Sequence, residues 1–375
     1  MIRLHRYATL LVLTLLLTAC GGGGGPEPTA TPTEVPTSTP TSTVAIPDTP
    51  PAAEIELPEG FTAYVVAEGL AVPTSIARSP DGALYVSQLG DPVFRLEDGD
   101  GDGVFEEMVT YVSGFSDING IAFPPQGDLY VSSRGRVSVV RDADGDTVSD
   151  AIEEIISGLP NGRHQNNGLA FGPDGKLYIT NGSTCNECNE ADESSATILQ
   201  ANPDGSDLRV YGRGLRNSYD LVFDPQGRLW VTDNGSDPPC NTIDELNLIE
   251  QGSDYGWPYQ PACDSFQSGI PPVGDLGLNT ASTGIDYYDG AQFPAQYRGN
   301  LFIALWGNLP FAPAPAGHIL VRAIIDETPD GPRATVEEFG TGFENPIDVL
   351  VDGDGTLLVL DFGSGKLYRI VFTGG

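Results

Sequence analysis

The chain has 375 residues, with 52 Asp and Glu against 18 Lys and Arg, 47 Gly, 31 Pro, 39% hydrophobic residues and a formal net charge of −34. That acidity repels phosphate backbones and argues against a nucleic-acid partner. Apolar runs are short after the first twenty residues, which excludes a multi-span membrane protein, and the Gly and Pro content suits a turn-rich β fold better than a helix bundle.

Residues 1–19 place Arg3 and Arg6 ahead of an apolar run from Ala8 to Leu17, the pattern of a secretory signal peptide. Leu17-Thr18-Ala19-Cys20 resembles the lipobox of bacterial lipoproteins. The resemblance implies cleavage before Cys20, lipidation of that cysteine, and an extracytoplasmic protein held at a bacterial cell membrane. An ordinary signal peptide with an incidental cysteine is the alternative. Cleavage would leave His164 and His318 as the only histidines. Residues 20–54 are Cys20, five glycines and then mostly Pro, Thr, Ser and Ala. Such a tract buries too little apolar surface to offset its ordering entropy, and it reads as a tether.

Residues 55–375 repeat. Five segments share an apolar strand, an Asp-Gly or Gln-Gly turn and a Leu-Tyr-Val-like strand, with turn glycines Gly82, Gly127, Gly175, Gly227 and Gly355. A divergent sixth copy turns at Gly299. Asp-Gly supplies the positive φ of tight β-turns. Several short strands per repeat of this length point to propeller blades. The expected fold is therefore all-β, a six-bladed β-propeller of four-stranded blades over 55–375, with Gly60–Ala67 closing the ring as a strand of the last blade. A pair of β-sandwiches would not explain the repeat.

Two stretches depart from plain repeat sequence. One is Arg163-His164-Gln165-Asn166-Asn167-Gly168 ahead of Gly172-Pro173-Asp174-Gly175. The other runs from Arg216-Asn217 through Asp233-Asn234-Gly235-Ser236 and Asp244-Glu245-Leu246-Asn247 to Tyr255-Gly256-Trp257-Pro258. These motifs resemble the quinoprotein glucose/sorbosone dehydrogenases, six-bladed propellers that use pyrroloquinoline quinone (PQQ) and Ca²⁺ to oxidise sugars.

The resemblance implies the following roles. His164 is the base that takes the proton of the sugar C1 hydroxyl. Arg216 stabilises charge on the quinone, and Gln165, Arg216 and Asn217 contact PQQ. The carbonyls of Gly235 and Ser236 hold the cofactor's calcium, and Glu245 with the carbonyl of Tyr255 holds a second one. A neutral imidazole suits a general base, and a fixed cation with a Lewis acid suits a quinone gaining charge. The chain departs from the pattern where basic residues would anchor the PQQ carboxylates. Gly307, Asn345 and Ile347 stand there, and Ile118 stands in place of a cofactor-contacting glutamine. Arg134, Arg136 and Arg322 are the candidates to substitute.

Asp98, Asp100 and Asp102, followed by Glu106 or Glu107, alternate with glycines, and Asp142, Asp144 and Asp146 nearly repeat the pattern. Either Ca²⁺ loops or solvated acidic turns account for them. In an exported protein, Cys185, Cys188, Cys240 and Cys263 are read as disulfides. Cys185–Cys188 with Cys240–Cys263 is the economical pairing, and a Cys₄ zinc site the alternative. The functional reading is PQQ- and calcium-dependent oxidation of an aldose or related sugar at C1, with an unassigned electron acceptor. A non-catalytic surface propeller binding glycan or protein and a calcium-dependent lactone hydrolase are its rivals.

Overall fold

The computed structural model describes residues 46–238, 240, 242–258, 269–307 and 316–374. The expected signal peptide, Cys20 and most of the tether lie outside the described residues, as does Cys263.

Among the described residues the strands form six four-stranded antiparallel sheets. Blades 1 to 5 are built from residues 73–112, 120–157, 166–213, 218–278 and 282–340. Blade 6 combines residues 346–372 with the N-terminal strand Phe61–Glu68, which pairs antiparallel with Lys366–Phe372 and closes the ring. The first strand of each blade touches the first strand of the next, and the first of blade 6 touches that of blade 1. This is a six-bladed β-propeller.

The repeat seen in the sequence has a packing cause. The second strands Leu84–Gln88, Leu129–Ser133, Leu177–Asn181, Leu229–Asp233 and Leu357–Asp361 are buried at every residue. Each lies between two neighbouring blades, so both of its faces are covered and it reads as a continuous apolar run. Outer strands alternate or expose most residues, as Ala151–Ser157 does. The six turn glycines all have positive φ, from 72° at Gly175 to 136° at Gly127.

Closure rests on aromatic packing. Phe61 meets Phe293, Tyr297 and Phe339 edge-on at centroid distances of 4.8, 5.1 and 5.1 Å. The packed body also begins earlier than composition indicated. Ala52 donates its N–H to the Ala63 carbonyl at 2.8 Å, and Glu54 pairs with Lys366 at 2.8 Å. Residues 51–54, read from composition as the end of the tether, therefore belong to the propeller's edge.

The inner strands carry a feature that the sequence reading missed. Asp220 accepts the Ile285 N–H of the next blade at 3.1 Å, and Asp348 accepts that of Ile76 at 2.8 Å. Gly284 makes room, because a Cβ there would lie 2.3 Å from Asp348 Oδ1. These carboxyls tie neighbouring blades together near the axis, and burial pushes Asp220 up to about 6.

In such blades, connections between second and third strands, and from one blade to the next, share one end of the propeller. The acidic loops at 98–103 and 142–147 join third to fourth strands and so lie at the opposite end from His164, which precedes the first strand of blade 3.

Candidate active site

A cavity of about 250 Å³ opens at the end where the blade-to-blade connections gather, and His164, Gln165, Asn217 and Tyr219 help to line it. His164 sits in the connection entering Asn166–Phe171, with its N–H on the Ser183 carbonyl at 3.1 Å. Its Nδ1 lies 2.9 Å from Ser183 Oγ, and Ser183 Oγ donates to the Cys185 carbonyl at 2.7 Å. A hydroxyl has one proton to give. With that proton on Cys185, Nδ1–H must donate to Ser183, and this leaves Nε2 with the free lone pair. Burial, then the charges of Arg216 and Arg163, push the imidazole down to about 3. His164 is thus a neutral ring in a defined tautomer. Gly182 allows this packing, since a Cβ there would lie 2.7 Å from the His164 Cβ and 2.8 Å from Asn217 Oδ1.

Arg216 lies behind the cavity wall. It is 3% exposed, and its Nη2 donates to Asn186 Oδ1 at 2.8 Å and to Asp237 at 2.7 Å. Its Nε and Nη1 reach the carbonyls of Asn186 and Asn234 at 3.4 and 3.3 Å. Asn186 lies between Cys185 and Cys188, which are joined by a disulfide. Trp257, buried in the loop of blade 4, donates to the same Asn186 carbonyl at 3.3 Å. The short disulfide loop therefore braces Arg216 directly and His164 through Ser183.

Asn217 is reached by an amide relay across three blades. Asn119 donates to Asn167 Oδ1 at 2.9 Å, and Asn167 donates to Asn217 Oδ1 at 3.1 Å. Asp233, at the end of a buried strand, accepts the N–H groups of Arg216 and Asn217 at 3.0 and 2.8 Å and fixes their turn. Asp361 does the same for Glu344 and Asn345 in blade 6, at 2.8 and 3.1 Å. Asn119 and Asp233 were missed as organisers, although the recurring Asp at the end of Leu-Trp-Val-Thr-Asp and Leu-Leu-Val-Leu-Asp was a signal for the second. Gln165 is 5% exposed and donates to the Asp117 carbonyl at 2.7 Å, while its Oε1 is buried without a hydrogen-bond partner.

The cavity bears more cation than the sequence located. Arg134 and Arg163 both line it. Of the other candidates, Arg136 faces Glu154 at 3.6 Å, and Arg322 lies over Tyr297 and pairs with Glu337 at 2.8 Å. Neither lines the cavity. On the blade 5 and 6 side, Ile347 is core, Asn345 donates to the Trp306 carbonyl at 2.9 Å, and Gly307 lies under the His318 ring. Ile118 is fully buried among the apolar residues of blades 1 and 2 and offers nothing to a ligand.

Gly235 is held by Asp244, which accepts its N–H at 2.9 Å. Ser236 receives the Thr242 N–H on its carbonyl at 3.0 Å, and its hydroxyl donates to Glu187, whose other oxygen is buried without a partner. The orphaned Glu187 oxygen beside Ser236 is of the type that a hard cation takes. Glu245 faces Asp233 and Asp275 across the blade, and burial, then Asp233, push it up to about 8. Tyr255 is buried, with its N–H on the Arg213 carbonyl at 2.9 Å and its hydroxyl on that of Leu248 at 2.6 Å. The ligand atoms of Asp98, Asp100, Asp102 and Glu106 lie within 4.8 Å of one another, as do those of Asp142, Asp144 and Asp146. Both groups are remote from His164 by topology. Cys240 is disulfide-bonded.

A family model described as "Domain of unknown function (DUF7133)" matches residues 52–364. An uncharacterized protein of Borreliella burgdorferi is 27% identical over 202 residues, 48% of this chain and 53% of that protein. The chain thus spans about half the length of this curated relative. Quinoprotein glucose dehydrogenase B of Acinetobacter calcoaceticus is 39% identical over 64 residues, 16% of this chain and 13% of that protein. Among solved structures, the holo form of the pyranose dehydrogenase PQQ domain from Coprinopsis cinerea superposes with a TM-score of 0.71 at 19% identity, over 87% of this chain and 99% of that one. At that identity the likeness is one of fold. With the match covering most of its length, the chain belongs to the DUF7133 family.

Proposed function

We propose that this protein oxidises an aldose or related sugar at C1 with PQQ and Ca²⁺, outside the cytoplasm, on a lipid anchor at Cys20. The observation that carries the reading is the geometry at His164, held through Nδ1 by Ser183 with Nε2 free, at a cavity lined by two arginines in a chain of net charge −34. The residues present fit the cofactor. Gln165 Oε1 is an orphaned buried acceptor at the cavity, and the orphaned Glu187 oxygen beside Ser236 suits its calcium.

In this reading Nε2 of His164 accepts the proton of the C1 hydroxyl, and the Ser183 relay holds the ring in that tautomer. Arg216, braced by Asn186, biases the local field toward negative charge without needing to reorganise. Asn217 and the amide relay orient the ligand. PQQ, when bound, supplies the two-electron acceptor for the hydride from C1. The sugar leaves as its lactone, and the electrons pass on to an acceptor in the membrane or in solution. A neighbouring quinoprotein glucose dehydrogenase and a PQQ-domain structure support the class of reaction.

One observation favours a non-catalytic surface propeller as a second reading. The blade 5 and 6 positions expected to be basic are Gly307, Asn345 and Ile347. The deciding assay is sugar-dependent dye reduction by the purified protein with PQQ and Ca²⁺. His164→Ala is expected to lower the rate by about 10²–10⁴-fold, the range of general-base catalysis. No sugar oxidation by the wild type would remove the reading, and an unchanged rate in His164→Ala would remove the base.

A further inference from the structure

We infer that Arg134 and Arg163 form an anion subsite on the blade 2 and 3 side of the cavity, built to hold the carboxylates of a planar aromatic polycarboxylate. The inference rests on the quinoprotein reading for the identity of that ligand, but not for the existence of the subsite.

Charge is the first argument. Three cations gather around His164, since Arg134 and Arg163 line the cavity and Arg216 lies behind it. Against them stand Asp117 and Asp237, paired with Arg134 and Arg163 at 2.5 Å each, and Asp237 is shared with Arg216 at 2.7 Å. Among the residues that line the cavity, two arginines stand against one carboxylate, Asp117, in a protein with 52 acidic residues. A larger cavity of about 570 Å³, at the seam of blades 1 and 6, serves as a control. There three arginines face five carboxylates, the sign expected of the chain as a whole. Of these two cavities, arginine outnumbers carboxylate only in the one beside His164.

Geometry is the second argument. Arg134 sits at the turn ending Leu129–Ser133 in blade 2, and Arg163 sits in the connection entering blade 3. Their side chains are 45% and 50% exposed, and their carboxylate partners 36% and 44%. Ion pairs so exposed are weakly held, so an incoming carboxylate can replace Asp117 at Arg134, or engage Arg163 while Asp237 stays on Arg216, at little loss. A guanidinium presents a planar fork that matches a carboxylate. The blade 5 and 6 positions named above offer no such group, because Asn345 is committed to Trp306 and Ile347 to the core. A ligand with several carboxylates would therefore be anchored from blades 2 and 3.

The test is binding to the full-length protein without turnover. PQQ binding is followed by quenching of tryptophan fluorescence, and benzene-1,3,5-tricarboxylate serves as a redox-inert probe by calorimetry. Each of Arg134→Ala and Arg163→Ala is expected to weaken binding of both probes about tenfold, and the double variant about 100-fold. Arg322→Ala should stay within about twofold of the wild type, and the lysine variants should keep part of the affinity. Raising salt should weaken the wild type more than the double variant. Binding of both probes by the double variant at wild-type strength would overturn the subsite and leave the quinoprotein reading intact. Arginine-dependent binding of the tricarboxylate without PQQ would support the subsite and overturn that reading. Binding of neither probe by the wild type would overturn both.

Discussion

Blades 3 and 4 and blades 5 and 6 are built on one repeat, yet they bring different chemistry to the same end of the propeller. In blades 3 and 4, the strand-end Asp233 fixes the turn that carries Arg216 and Asn217, and the Cys185–Cys188 loop reaches over to brace Arg216. In blades 5 and 6 the same device survives, with Asp361 holding Glu344 and Asn345, but the turn presents no cation. Aromatic rings dominate the packing of these blades instead, with Phe61, Phe293, Tyr297, Phe302 and Phe339 in one cluster. The difference separates two tasks. One half supplies polar groups to the cavity, and the other closes the ring.

Substitutions should split along that line. The largest effect is expected from His164→Ala, which should lower sugar-dependent dye reduction by about 10²–10⁴-fold, while His318→Ala on the other side stays within about twofold. Phe61→Ala should do the reverse. Loss of a buried aromatic typically costs about 3–5 kcal/mol. A chemical-denaturation midpoint should fall accordingly, with ligand affinity kept wherever the protein remains folded. A stable Phe61→Ala protein with a damaged cavity would break the division.

Asn186→Ala removes the amide that holds Arg216 and leaves a buried guanidinium short of partners. A loss of about 1–3 kcal/mol in stability is expected, together with lower PQQ affinity. If stability falls and ligand binding does not, the loop is a structural staple only.

A further effect is one of pH, spread over several units, and its sign follows from His164. Unfolded, the imidazole takes up a proton near pH 6.5; folded, it does not until about pH 3. Between those values the unfolded chain binds more protons, so stability contributed above pH 6.5 is lost as pH falls, by at most about 1.4 kcal/mol per pH unit. His164→Ala should flatten the acid side of the stability curve by that amount. In NMR spectra the His164 ring should not titrate between pH 8 and 5. A bound polycarboxylate beside Arg163 should raise its protonation point by offsetting the arginine charge.

Much of the fold was legible because each repeat carries its own turn glycine and its own doubly buried strand. Gly82 and Leu84-Tyr85-Val86 state a blade locally, and five near copies state a ring. Less of the site was legible. His164, Gln165 and Asn217 stand in recognisable motifs, and all three line the cavity. Arg216 stands in a motif too, yet its guanidinium is turned away behind Asn186 and Asp237. Nothing near Asn119 or Asn186 marks either as a partner, because each acts on a residue in another strand or blade.

The sequence by itself determined the number of blades, the strand that closes the ring and the sign of the overall charge, since these depend on local turns, burial period and composition. Only the tertiary structure decided where the charge is reversed. Arg134 and Arg163 are 29 residues apart and belong to different turns, and they become one electropositive wall because ring closure brings those turns to the same cavity. It also decided that the acidic loops face the other way, because third-to-fourth-strand connections and blade-to-blade connections emerge at opposite ends.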